Sequence, residues 1–552
     1  VKQSHLGRKI AYGVGAVVLV LVAVISVFYF IFLNKYINKT VPTQLSAAVR
    51  KATNGKYDLK LKSLTRSGDS LLCVGVDLYR LRYDSLDNGL VPRELSIDTA
   101  SFKNISWWKL LLGKGLYISE FAIRSPKLYM VDAGDHEDVP KPSNKAPDSL
   151  PKSVPVVAID HIVMSQLELY MPHAKPKDQA SLTDVTLSLT EFRIDDESLK
   201  KPQLFFARST EFDLPKATYK LADGFYSLEI EKLHGSASDS TLTIGAFAFR
   251  PNYSEEEFAA KNPYIRGRAD FRCSNIAING LNFARMFTAS GVHFRSMIAK
   301  RWSVDFFSDR RRPANPHPPV ATMPNDMISS LKFPIVFDTL ELLDGKAVAR
   351  QREPGSVKPG VLFFANTALH VRHFSTDTAS RDYKQNTNFR VNTMFLGVSP
   401  VVLTATYPLT SKSFDMSIQG KVGGFDGTLL NAWLNPIERS EISQGALDHG
   451  DVRMEIRDGV SKTTVTPIYH DVKMKFIATD PKTNPGFFAK ALNGVKSFLA
   501  NALVIRSANS DANGEKPKIG ITVRKRPKTE EYFQFLWFSL RKALGAVIGG
   551  FS

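Results

Sequence analysis

From Tyr57 onward the chain alternates between apolar and polar positions. Tyr57, Leu59 and Leu61 are separated by Asp58, Lys60 and Lys62. The same two-residue period returns at Leu95 and Ile97, at Val185, Leu187 and Leu189, at Tyr226, Leu228 and Ile230, and at Leu242 and Ile244. It recurs in the second half at Val401, Leu403 and Ala405, at Phe414, Met416 and Ile418, at Val452, Met454 and Ile456, at Val472, Met474 and Phe476, and at Ile519, Ile521 and Val523. Strict alternation puts one apolar and one polar face on each strand, and about two dozen such runs separated by turn residues predict a mostly β chain. No helix of crossover length lies between most neighbours, so antiparallel meanders are expected.

Helical spacing is scarce beside this. It is visible at 40–54, ending at Gly55, at Ser254–Ala260, at Leu281–Ala299, at Gly427–Leu434 and at Asn484–Leu503, where Phe488, Leu492, Val495 and Leu499 share a face. The last segment, 530–552, carries Phe533, Leu536, Trp537 and Leu540, interrupted by Arg541 and Lys542. Those charges argue against a second span and leave an interfacial helix or a cap over the sheet. Proline-rich loops are expected at 133–155 and 308–324. So few helices cannot cover so many one-sided strands. The sheet must fold on itself as a sandwich or curl into a trough, and periodicity alone does not choose between them.

One stretch breaks the pattern differently. Ile10 to Leu33 carries no charge and is long enough to cross a bilayer core. Its bulky end, with Phe28, Tyr29 and Phe32, reads as an anchor and not as a cleavable signal. Lys2, Arg8 and Lys9 before it place residues 1–9 in the cytoplasm and the remainder outside.

Charge and chemistry change this picture little. The net charge is +18, but the basic residues are spread along strands without the clustered stacking aromatics of a nucleic-acid interface. Arg50-Lys51, Arg310 to Arg312 and Arg524 to Arg526 are the densest groups and candidates for anionic head groups. Cys73 and Cys273 are too few for a disulfide framework; they are two buried thiols or one long-range bridge. His370 and His373 lie three apart, on opposite faces of a strand, which suits no shared metal. The glycines of 420–427 lack a strand-to-helix phosphate fingerprint and read as a turn. With no metalloprotease or nucleophile-elbow motif either, no catalytic residue, cofactor or metal is expected, and the chain reads as a non-enzyme.

The order of features resembles the AsmA family of diderm bacterial envelope proteins. The resemblance rests on the anchor, on "NGKYDLKLKSL" (54–64), "LLCVGVDLYRL" (71–81), "SIDTASFKNISWWKLLLGKGLYISEFAIRSPKLYMV" (96–131) and "VPVVAIDHIVMSQLELYM" (154–171). It is good over 1–190 and weaker beyond. It implies an inner-membrane protein with a periplasmic bulk: a tail (1–9), a span (10–33), a juxtamembrane helix (34–55), a taco-shaped antiparallel β-groove (56–483) and C-terminal amphipathic helices with an intervening strand (484–552). The groove would carry phospholipid acyl chains between membranes, or the chain would serve as a scaffold for envelope assembly with an outer-membrane or periplasmic protein partner. Its lining would then be Leu59, Leu61, Ile97, Ile118, Val185, Leu187, Leu189, Leu228, Ile230, Leu242, Ile244, Leu403, Met416, Ile418, Val452, Met454 and Ile456. Trp107, Trp108 and Leu111 would plug one end of the groove or form its entrance.

Overall fold

A computed structural model describes residues 46, 49–50, 56–81, 90–132, 156–172, 179–198, 204–221, 223–287, 291–331, 333–411, 413–476, 506–510 and 516–548. The predicted span 10–33, most of the juxtamembrane helix, the loop 133–155 and the helix at 484–503 lie outside them. Among the described residues no helix is long and apolar enough to cross a membrane. The chain is mostly β and divides into two compact units, one of residues 1–248 and 277–294, the other of 249–276 and 295–552.

The first unit begins with β1 (Tyr57–Ser67) and β2 (Ser70–Arg80), joined through Gly68, whose φ of 58° suits the tight turn. There follow β3 (Leu90–Lys103), α1 (Trp107–Leu111), β4 (Leu116–Arg124), β5 (Lys127–Asp132), β6 (Val157–Pro172), β7 (Gln179–Ile194), β8 (Ser209–Lys220) and β9 (Tyr226–Ser236). Strands β10 (Thr241–Pro251), β11 (Gly267–Asn279) and β12 (Val292–Asp309) contribute residues to both units. The expected all-antiparallel meander is corrected here. β4 and β5 form one line, broken at Ser125-Pro126, that is antiparallel to β3 but parallel to β6. A parallel partner needs a crossover of a dozen residues or more, and 133–156 is long enough to be one without any helical pattern in its sequence.

A second device is the repeated bulge. In β2 the buried positions run Leu71, Cys73, then Val76, Leu78, and in β6 Ile162, Met164, then Leu167, Leu169. The parity changes at Gly75 (φ 63°) and Gln166 (φ 57°), and Asp184, Lys232, Asp344 and Asn366 also hold positive φ inside strands. Each extra residue returns the apolar set to the buried face and bends its strand. The core so formed joins Leu59, Ile97, Ile118, Ile159 and Leu189 to Phe102 and Phe121, whose rings stack at 4.3 Å.

In the second unit α2 (Glu255–Ala260) starts with a capping box in which the Ser254 hydroxyl accepts from the Glu257 N–H. The helix predicted over Leu281–Ala299 is not formed. Only α3 (Phe283–Phe287), in the first unit, is helical, and Val292 onward is β12; the β-branched and aromatic alternation after Gly291 outweighs the weaker helical spacing. After α4 (Pro324–Ser329), an antiparallel series runs through β13 (Ile335–Arg352), β14 (Gly360–Ser375), β15 (Asn386–Phe395), β16 (Ser399–Pro408), β17 (Met416–Val422), β18 (Phe425–Asp426), β19 (Ser440–Arg457), β20 (Val460–Phe476) and β21 (Gly520–Lys525). The glycines at 423 and 424 lie between β17 and β18. α5 (Asn431–Glu438) precedes β19, and α6 (Tyr532–Ile548) closes the described chain.

Candidate functional site

The second unit presents an apolar row that crosses its strands at right angles. Leu342 stands opposite Leu369, Leu369 opposite Val391, and Val391 opposite Leu403. A neighbouring row runs Leu340, Val371, Phe389, Ala405, Ile418, Met454. Between these rows lies the opposite face, Glu341, His370, Arg390 and Thr404, all polar. His370 Nδ1 is 3.2 Å from Glu341 Oε1, an outer-face pair. Leu342, Leu369, Val391 and Leu403 are all half-buried, so water still reaches a hydrocarbon strip roughly 14 Å across four strands.

The strip ends where α6 begins. Phe535, Ser539, Ala543 and Val547, spaced four apart, are fully buried on one face of α6. Phe535 joins Met416, Ile418, Met454 and Ile456, while Ala543 and Val547 pack with Val465 and Tyr469. The helix lies so close to β21 that a Cβ on Gly520 would come within 2.1 Å of the Ala543 carbonyl oxygen. Ser539 and Ser461 share a buried hydrogen bond of 2.7 Å, and Arg541 reaches Glu438 of α5 at 3.2 Å. The helix packs on β17 and on β19 to β21. Leu536 and Leu540 pack against the same clusters, whereas Phe533, Trp537 and Lys542 face outward.

The residues singled out from alternation therefore fall into three environments. Met416, Ile418, Met454 and Ile456 are under α6, with Val452 beside it. Leu59, Ile97, Ile118 and Leu189 are interior to the first unit's core, with Leu61, Val185 and Leu187 at its margin, and Leu242 belongs to a small cluster with Leu281 and Phe283. Leu228, Ile230 and Ile244 are half-buried, as is Leu403, which packs against the cluster under α6. Leu340, Leu342, Leu369, Val371, Phe389 and Val391 are not among the residues expected to line a groove, because each pair alternates over only three residues before polar or irregular positions follow. The alternations "LHV" at 369–371 and "FRV" at 389–391 are the signal that marks them.

The tryptophan pair separates. Trp107 is half-buried beneath the Arg66 guanidinium at 4.6 Å, and Leu110 is buried. Trp108, Leu111 and Leu112 are 78%, 73% and 67% exposed, an apolar knuckle flanked by Lys109 and Lys114.

Several arginines are matched internally. Arg311 binds Asp309 and Glu256, Arg352 binds Glu256 at 2.5 Å, and Arg350 bridges Glu255 and Asp305 at 2.6 and 2.7 Å. Burial opposes the charge of Asp309, yet the Arg311 guanidinium and N–H hold its carboxyl below the ordinary range. Arg50 is likewise engaged by Asp58 and Arg524 by Glu530, so these basic groups serve the fold first. Cys73 and Cys273 are free and buried, and burial pushes the Cys73 thiol up to about 12. Among the described residues no cluster of histidine, cysteine and carboxylate could hold a metal ion. Compared with protein families, with curated proteins and with solved structures, the chain matches none.

Proposed function

We propose that this chain is an AsmA-like protein of the bacterial envelope, anchored in the inner membrane through residues 10–33, that holds phospholipid acyl chains on a periplasmic β-sheet. The observation that carries the reading is the half-buried row Leu342, Leu369, Val391 and Leu403, backed on the other face by an unbroken polar row. A soluble sheet that leaves such a strip partly wet loses free energy unless something covers it. An acyl chain lying there removes its own methylenes from water at about 0.8 kcal/mol each. Binding of this kind needs no fixed polar chemistry, which fits a strip whose neighbours are aliphatic and aromatic. The exposed knuckle of Trp108, Leu111 and Leu112 supports contact with a bilayer, since indole and aliphatic side chains beside lysines favour the head-group boundary.

The test is site-specific photocrosslinking in cells, with a benzophenone amino acid at Leu369 or Val391 and, as controls, at Arg390 or Thr404 on the reverse face. Lipid adducts are expected at the first pair and absent at the second. Equal labelling of both faces, or protein adducts alone at Leu369 and Val391, overturns the reading.

A further inference from the structure

β21 is the last strand of its series and, among the described residues, pairs only with β20. The Arg526 N–H donates to the Gly459 carbonyl at 2.9 Å, which fixes the phase of the ladder. In an antiparallel pair the residues that bond across alternate, so Gly520, Thr522 and Arg524 direct their backbone groups to β20. Ile521, Val523 and Lys525 therefore turn theirs to the open edge. The same residues carry the exposed side chains: Ile519, Ile521 and Val523 are 52%, 57% and 62% exposed, because α6 occupies the other face through Gly520 and Thr522. The alternation at 519–523 thus shows water its apolar side, the reverse of what a one-sided core strand does. Neither a proline nor a bulge protects this edge.

We propose that the edge of β21 receives a strand from a partner protein, and that this strand is acidic. The backbone groups and the β-branched row call for an extended segment that continues the sheet. The sign of its charge follows from Lys516, Lys518, Lys525 and Lys528, which flank the row and are exposed. Lys462 lies opposite Val523 on β20 and adds to the same face. A second copy of this chain is the wrong occupant, since pairing two such edges sets lysine against lysine. This surface is independent of the lipid-binding strip and does not rest on it.

The probe is a short synthetic peptide alternating valine with glutamate, compared with its valine and lysine counterpart, each titrated onto the full chain by fluorescence anisotropy. The glutamate peptide is expected to bind and the lysine peptide to bind at least about tenfold more weakly. Val523→Pro removes one outward N–H while leaving the β20 ladder intact, a position where an edge strand tolerates proline. It is expected to melt with the parent and to weaken the glutamate peptide by roughly three- to tenfold. Should that variant fail to fold, Lys518→Glu with Lys525→Glu serves in its place and is expected to reverse the preference between the peptides. Equal binding of both peptides, no reversal, or unaltered binding by a folded Val523→Pro overturns the proposal. So does a concentration-dependent dimer in sedimentation that Val523→Pro abolishes, which assigns the edge to a second copy.

Discussion

The docking of α6 can be tested through an ion pair that ties it to α5. Glu438 is only 5% exposed and Arg541 18%, with the guanidinium nitrogen 3.2 Å from the carboxylate. Burial pulls the Arg541 guanidinium below its ordinary range, and Glu438 acts against that pull. Glu438→Leu therefore takes from a desolvated cation the carboxylate that opposes its burial. Removing one member of a buried pair costs roughly 3–5 kcal/mol, and the residual exposure of Arg541 places the cost near the lower end, about 3 kcal/mol. Arg541→Met in the same background removes the buried charge as well and is expected to recover most of the loss, because replacing a buried pair by packed hydrocarbon is often close to neutral. The coupling between the two sites should thus be at least about 2 kcal/mol, measured as a double-mutant cycle in urea unfolding. Hydrogen exchange supplies the structural reading. In Glu438→Leu the amides of α6 should lose protection ahead of those of β14 and β15. Additive effects of the two substitutions, or a Glu438→Leu chain as stable as the parent, would refute the claim that this pair holds the helix down.

Three further outcomes follow from the first unit. Asp58 accepts from Arg50 at 2.6 and 3.0 Å, and from Ser46 and Tyr79, and the Arg50 bonds above all hold its carboxyl well below the ordinary range, against the effect of burial. A folded pKa that is depressed contributes stability above the unfolded value of about 3.9, and that contribution disappears as pH falls through the folded value. Asp58→Asn is expected to cost about 1–3 kcal/mol at neutral pH and progressively less below about pH 4, read from urea midpoints; a pH-independent difference defeats the assignment. At α1, Leu110→Ala should cost about 2–5 kcal/mol whereas the Trp108→Ser, Leu111→Ser pair should stay within about 0.5 kcal/mol per site, because only Leu110 is buried. The same pair should weaken attachment to vesicles containing phosphatidylglycerol, measured by flotation of the chain with the proposed anchor, residues 10–33, removed. Unchanged flotation removes the knuckle from the proposed membrane contact.

Alternation by itself determined that the chain is a sheet protein and which side of most strands is apolar. Leu59, Ile97, Leu189, Met416 and Ile456 are buried as their period requires, because side chains two apart on a strand share a face whatever the strand packs against. The period also carried the exposed row at Ile519, Ile521 and Val523, yet it could not say that this row points to water. That depends on α6, which lies on the other face because Gly520 lets a backbone approach where any larger residue would collide. Likewise no local pattern told that β4 and β5 run parallel to β6, since parallel pairing is settled by what lies beside a strand and not by what lies within it. The half-buried strip on β13 to β16 was visible in the sequence only as short alternations such as those at 369–371 and 389–391, and which residues stand opposite one another across the strands is settled by register. The sequence determined which residues have an apolar face to hide. Only the tertiary structure decided which of those faces α6 and the neighbouring strands cover and which are left to water, because covering is done by elements distant in the chain.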